Sequence, residues 1–161
     1  MPTRLLPIML TVGLAWAPVS AQRSPAAEFD ALRQKYVGND DTDAFLAEPS
    51  IRTELARLLG ANLRLFQHNL DVRGSVDFVH GTLSLNGNAP RGGGLEEAVL
   101  CVSSGGRVDA AIFSKSAFSV YTRASGYDGL PLCIKDWITQ VRSGHRDRFE
   151  QPSNVRLVVG K

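Results

Sequence analysis

Arg91 is the one charged side chain in a stretch otherwise made of turn formers, Asn86-Gly87-Asn88-Ala89-Pro90-Arg91-Gly92-Gly93-Gly94. A guanidinium on a presented segment can pair with carboxylates through charge-assisted, often bidentate hydrogen bonds. That is binding chemistry. The segment has almost nothing apolar to bury, so its backbone needs water or a partner, and we expect it to be displayed rather than packed. The plain alternative is a polar connector between strands.

Catalytic chemistry finds less support. His68, His80 and His145 belong to no HExxH pattern, and the chain holds neither a GxSxG elbow nor a cysteine beside a histidine. Glu96-Glu97 would point to opposite faces of a strand, which is not a two-carboxylate site. Gly92-Gly93-Gly94 lacks the lysine and the following helix of a phosphate-binding loop. The residues predict no enzyme, no cofactor and no metal site. Cys101 and Cys133 lie among apolar neighbours; they are either a disulfide closing a loop of about thirty residues or two separate buried thiols.

The elements that must position Arg91 are legible from periodicity. Ile51, Leu55, Leu58 and Leu59 recur at helical spacing and predict an amphipathic helix ending near Gly60, with Leu63, Phe66 and Leu70 continuing the stripe. A short helix is expected after the capping cluster Asp40-Asp41-Thr42-Asp43. The pattern then alternates: Val76, Phe78 and His80, then Leu83 and Leu85 after Gly81, read as a strand pair or one bent strand. Glu97 to Ser103 is continuously apolar at its centre, as in a strand buried on both faces. Ser104-Gly105-Gly106 turns it into Arg107 to Ser114, and Phe118 to Thr122 adds another strand. Ile134, Trp137, Ile138 and Val141 define a closing helix from about Pro131, and Val155 to Val159 reads as an edge strand or a frayed end. The fold class is α+β, a sheet of about five antiparallel strands with N-terminal helices and a C-terminal helix packed on it.

At the N-terminus, Arg4, the apolar run Leu5 to Trp16 and Val19-Ser20-Ala21 have the form of a secretory leader, residues 1–21. Residues 22–39 are expected to be an arm or short helix, and 40–161 a single domain with a polar tail. The leader implies a periplasmic or secreted protein with no stable membrane insertion. The pI of about 8.7 rests on a formal charge of only +2, interspersed with acid, and removal of Arg4 leaves +1. Nucleic acid is therefore not an expected partner.

With these residues in place, the chain resembles the periplasmic inhibitors of vertebrate lysozyme, the Ivy family. Their protruding loop has the form Cys-Lys-Pro-His-Asp-Cys and precedes a two-strand hairpin; the matching stretch here is Asn88-Ala89-Pro90-Arg91-Gly92-Gly93, ahead of the hairpin from Glu97 to Ser114. Pro90 is retained, Arg91 replaces the histidine, and Asn88 and Gly93 stand where the family has its two cysteines. The resemblance implies a noncatalytic protein that occupies a lysozyme cleft through Asn88, Pro90, Arg91, Gly92 and Gly93, on a domain whose relatives can form homodimers. Without the cysteine clasp, the loop is expected to lose more entropy on binding. The other reading is an envelope interaction or immunity module that binds through its sheet or helix face, with the loop incidental.

Overall fold

The computed structural model describes residues 24–92, 94–144 and 154–159; the expected leader, Gly93, His145 and the charged tail through Glu150 lie outside them. Helix α1 (Pro25–Tyr36) starts on Ser24, whose side chain accepts from the Ala27 N–H, with Pro25 in the first turn. Phe29, Leu32 and Tyr36 are its buried stripe. The expected arm or short helix is thus a three-turn helix, because three large apolar residues at i, i+3 and i+7 anchor it although the rest of its surface is polar. The Asp41 side chain caps α2 (Thr42–Ala47), and α3 (Pro49–Leu59) buries Ile51, Leu55, Leu58 and Leu59. Gly60, at φ 51°, ends α3; a 3-10 turn (Gly60–Asn62) leads into α4 (Leu63–His68).

Glu48 ties α1 to the α2–α3 junction. Its carboxylate accepts from the Tyr36 hydroxyl at 2.5 Å and from Lys35 Nζ at 3.0 Å. The Tyr36 bond first, then Lys35, holds this carboxyl below its ordinary pKa.

Among the described residues the sheet has seven strands: β1 (Val72–Arg73), β2 (Asp77–Val79), β3 (Thr82–Asn88), β4 (Glu97–Ser103), β5 (Val108–Ser114), β6 (Ala117–Thr122) and β7 (Val155–Val159). Their order is β1-β3-β4-β5-β6-β7, and β2 shares the outer flank of β3 with β1. The expectation of about five antiparallel strands is corrected in two ways. The 72–79 region supplies two short strands, and β7 pairs parallel to β6, so the sheet is mixed. Helix α5 (Leu132–Gly144) lies between β6 and β7 in the chain, and such an intervening helix lets two neighbouring strands run the same way.

Successive strand residues face opposite ways, which divides the core into two layers. Leu83, Leu85, Leu100, Val102 and Ala110 pack with α1–α4, whereas Val99, Cys101, Ala111, Phe113 and Val120 pack with α5. The unbroken apolar run of β4 is explained by burial on both faces. Cys101 and Cys133 are bonded, with Cα atoms 6.3 Å apart, fastening β4 to α5. Trp137 sets its ring edge-on to Phe118 at 5.6 Å, a core role. Asp109, fully buried on β5, accepts from Thr122 Oγ1 at 2.6 Å and from Arg107 Nε at 2.7 Å, which meets the need of a buried carboxylate for partners.

Candidate functional site

The segment expected to be one displayed loop is mostly strand and tight turn. Asn86, Gly87 and Asn88 belong to β3, where Asn88 pairs with Glu97 and Gly87 with both Ala98 and Arg73. A β-carbon at Gly87 would lie 2.6 Å from the Val72 carbonyl oxygen, so only glycine lets β1 dock there. Ala89 is buried, and its N–H donates to the Glu96 carbonyl at 2.9 Å, carrying the β3–β4 ladder one step further. Beyond this point Pro90, Arg91 and Leu95 are exposed.

Residues 90–95 form two turns in tandem. Gly92 N–H donates to the Ala89 carbonyl at 2.9 Å, with Pro90 and Arg91 between them. Proline followed by a residue at positive φ is the arrangement of a type II turn, and Arg91 sits at φ 63°. The second turn closes when the Gly92 carbonyl accepts from Leu95 N–H at 2.9 Å and Glu96 N–H at 3.0 Å, with Gly94 at φ 80°. Asn88 Nδ2 donates to the Ala89 carbonyl at 3.2 Å, supporting the first turn from its own strand. A β-carbon at Gly92 would come within 3.0 Å of the Ala89 methyl, so the pair forms a close contact at the turn's base.

Pro90 and Arg91 are exposed, Gly92 is half-buried, and Gly93 lies outside the described residues. Sequence reasoning passed over Leu95, which is 66% exposed and completes the tip. Its signal was an isolated leucine directly after a glycine run.

The root of the turn is held from three sides. Asn69, fully buried just beyond α4, donates to the carbonyls of Glu97 (3.3 Å) and Phe113 (3.2 Å), which face each other across β4 and β5. Ser114 Oγ donates to Glu96 Oε1 at 3.1 Å, so one member of the acidic pair is engaged in structure. On the other flank, Arg73 donates to Thr42 Oγ1 and the Leu70 carbonyl, each at 2.8 Å, and pairs with Asp43. These bonds leave Arg91 with no ion-pair partner among the described residues.

The described histidines sit at opposite ends of the sheet, His68 at the turn's end beside Asp71 and β1, and His80 at the far end. His68 is exposed and pairs with Asp71 at 3.3 Å. His80, expected on a strand face, occupies the β2–β3 turn at φ 51°, with Nε2 3.0 Å from Asp136. Dents also mark the surface. One of about 210 Å³ lies between α1, α3 and the far β4–β5 turn; another of about 330 Å³ lies beside β1, lined by Asp43, Arg52, Gln67, Asp71 and Arg73 among others. Among the described residues there is no cluster of three metal-ligating side chains, and no helix is long and apolar enough to cross a membrane.

The turn is closed by backbone hydrogen bonds at one end of a mixed sheet, with Pro90, Arg91 and Leu95 exposed on it. The chain belongs to the Ivy family: the family model described as inhibitor of vertebrate lysozyme (Ivy) matches residues 50–143, more than half of the 161-residue chain. The match begins in α3 and ends in α5, taking in β1 to β6 and the whole turn, and leaves α1, α2 and β7 outside it. Comparison with curated proteins and with solved structures finds no match. The family is one of noncatalytic inhibitors, so the chain is a binding protein of lysozyme-inhibitor type and not an enzyme.

Proposed function

We propose that the protein is a periplasmic or secreted inhibitor of lysozyme that inserts the Pro90–Leu95 tip into the acidic cleft of the enzyme. The leader at 1–21 would direct export, and residues 22–161 would form the mature protein. Arg91 is the tip cation, aimed at the two carboxylates of a retaining glycosidase, which lie about 5–5.5 Å apart. A guanidinium can bridge such a pair, and it stays charged at every working pH. Pro90 shapes the turn, Asn88 supports it, and Gly92 and Gly93 allow close backbone approach. The tip blocks the cleft sterically while Arg91 neutralises the catalytic acids.

The observation that carries this reading is the conformation of Arg91. A type II turn favours glycine or asparagine at this position, yet here an arginine is held at positive φ and left unpaired. The reading also answers the missing cysteine clasp. The Ala89–Glu96, Gly92–Ala89, Leu95–Gly92 and Glu96–Gly92 backbone bonds pre-form the tip, so little order need be gained on binding.

The test is turnover of a cell-wall substrate by vertebrate lysozyme in the presence of purified residues 22–161. Wild type should inhibit, and Arg91→Ala should weaken inhibition by about thirtyfold or more, the loss expected when one partner of a buried charged pair is truncated at about 2 kcal/mol. Absence of inhibition by the wild type, or inhibition unchanged by the substitution, would remove the mechanism. Lysozyme binding that survives deletion of the tip would move the contact to the sheet or helix face.

A further inference from the structure

We propose that the β5–β6 turn is a second contact of the same inhibitory surface, with Lys115 as a steering cation for the acidic cleft; this rests on the lysozyme reading of the Arg91 tip. The two turns are at the same end of the sheet. Strand β4 leaves the Arg91 turn and β5 enters the Lys115 turn, with Glu97 paired to Phe113 and Ser114 paired to Ala117. The Ser114–Glu96 hydrogen bond joins one turn directly to the other at 3.1 Å.

Lys115 and Ser116 are exposed and both have positive φ, 51° and 63°. A two-residue hairpin turn of this shape favours Asn-Gly, and the β2–β3 turn at the opposite end of the sheet does place a glycine, Gly81, at its second position. At the Arg91 end, three residues other than glycine, Arg91, Lys115 and Ser116, hold left-handed backbone in two linked turns. Backbone of this kind is retained where the surroundings enforce it, and functional sites are where it collects. The surroundings here are the Ser114–Glu96 bond and Asn154 Nδ2, which donates to the Ser116 carbonyl at 3.4 Å.

The charge arrangement selects the partner. Neither Arg91 nor Lys115 has an ion-pair partner among the described residues; Lys35, Arg57, Arg73, Arg107 and Arg123 are each paired, while Arg52, Arg64, Lys135 and Arg156 have no ion pair but lie outside the two turns. Arg91 and Lys115 are both exposed in the turns, with Glu96 and Glu97 half-buried behind them and the exposed Asp71 engaged by His68, an arrangement suited to the carboxylates of a lysozyme cleft. A rim charge acts chiefly on the rate of encounter and on its salt dependence, while a buried pair acts on dissociation.

The experiment measures association and dissociation rates of residues 22–161 with a vertebrate lysozyme at low and high salt, for wild type, Lys115→Glu, Lys115→Arg and Arg91→Ala. Lys115→Glu should slow association about tenfold at low salt and leave dissociation within about twofold; the difference should shrink below about twofold near 1 M salt, where screening acts over about 3 Å. Lys115→Arg should match wild type, and Arg91→Ala should instead speed dissociation. Circular dichroism of Lys115→Glu should be native. If Lys115→Glu associates at the wild-type rate while Arg91→Ala still weakens binding, the second contact is wrong and the Arg91 mechanism stands. If the wild type does not bind, both fall.

Discussion

Replacing Arg91 by glycine should make the protein more stable and its inhibition worse. An L-residue in left-handed backbone costs about 1–2 kcal/mol, and at φ 63° Arg91 is in that region. Glycine removes the cost but adds about 0.5–1 kcal/mol of unfolded-chain entropy. The net expectation is stabilisation of about 0.5–1 kcal/mol, which for a domain of this size raises Tm by about 2–4 °C. Arg91→Ala is the control: it keeps the left-handed cost, and its exposed side chain carries no fold contact, so stability should stay within about 0.5 kcal/mol of wild type. Both variants lose the guanidinium and should lose inhibition alike. Urea unfolding with an unchanged slope, together with lysozyme turnover, separates the two effects. An Arg91→Gly protein no more stable than Arg91→Ala would refute the strain argument, and one that still inhibits would refute the role of the guanidinium.

Two other outcomes follow from the scaffold. The carboxyl of Glu48 is held below its ordinary value of 4.5 by the Tyr36 hydroxyl first and Lys35 second. A depressed carboxylate contributes stability that is present above its unfolded pKa and lost as pH falls through the folded one, so this part should disappear below about pH 4.5. Glu48→Gln should cost about 1 kcal/mol at neutral pH and flatten that part of the acid limb in a pH series of thermal melts, while the part due to Glu54, held down first by Arg57, remains. Removing the disulfide by Cys101→Ala with Cys133→Ala should cost about 3–4 kcal/mol and lower Tm by about 10–15 °C. Inhibition at 25 °C should stay within about twofold, because the bond fastens β4 to α5 away from the turn; a loss of inhibition without a matching fall in Tm would place the disulfide in the binding surface instead.

Periodicity made some elements readable and left others hidden, and the difference is physical. Helices α3 and α5 each bury one continuous stripe, and β4 buries both faces, so apolar spacing alone reports them. The sheet edges are different. β1 has two residues and leaves no pattern to read, whereas β2 was marked by the alternation of Val76, Phe78 and His80 although its three residues are all exposed. They exist because β3 offers them backbone partners, and Gly87 makes room for one of them. The direction of β7 was hidden for another reason: parallel pairing is set by how α5 returns the chain across the sheet, and the apolar content of Val155–Val159 is the same for either direction.

The turn itself shows how glycine-rich sequence and folded geometry part company. Four glycines and a proline mark a stretch where the chain reverses, and Arg91 is exposed in the reversal. The absence of the cysteine clasp, however, predicts a loop that loses more entropy on binding than the folded chain implies. In the folded chain Gly92 closes one turn and opens the next, and Ala89 is buried at the base with its N–H in the ladder. The same residues that raise the entropy of the unfolded chain thus produce a tight, hydrogen-bonded tip once β3 and β4 are paired. Two cysteines are one way to hold a loop in its inserted shape; extending the ladder to Ala89 and Glu96, and bracing its root with Asn69 and Ser114, is another. Asn69 could not be recognised as a brace beforehand, because an asparagine after a helix reads as an ordinary C-terminal cap, and its partners lie 28 and 44 residues away. If the bracing is what replaces the clasp, Arg91 is presented in fixed geometry, and inhibition depends on the match between its guanidinium and the cleft carboxylates more than on any covalent tie within the loop.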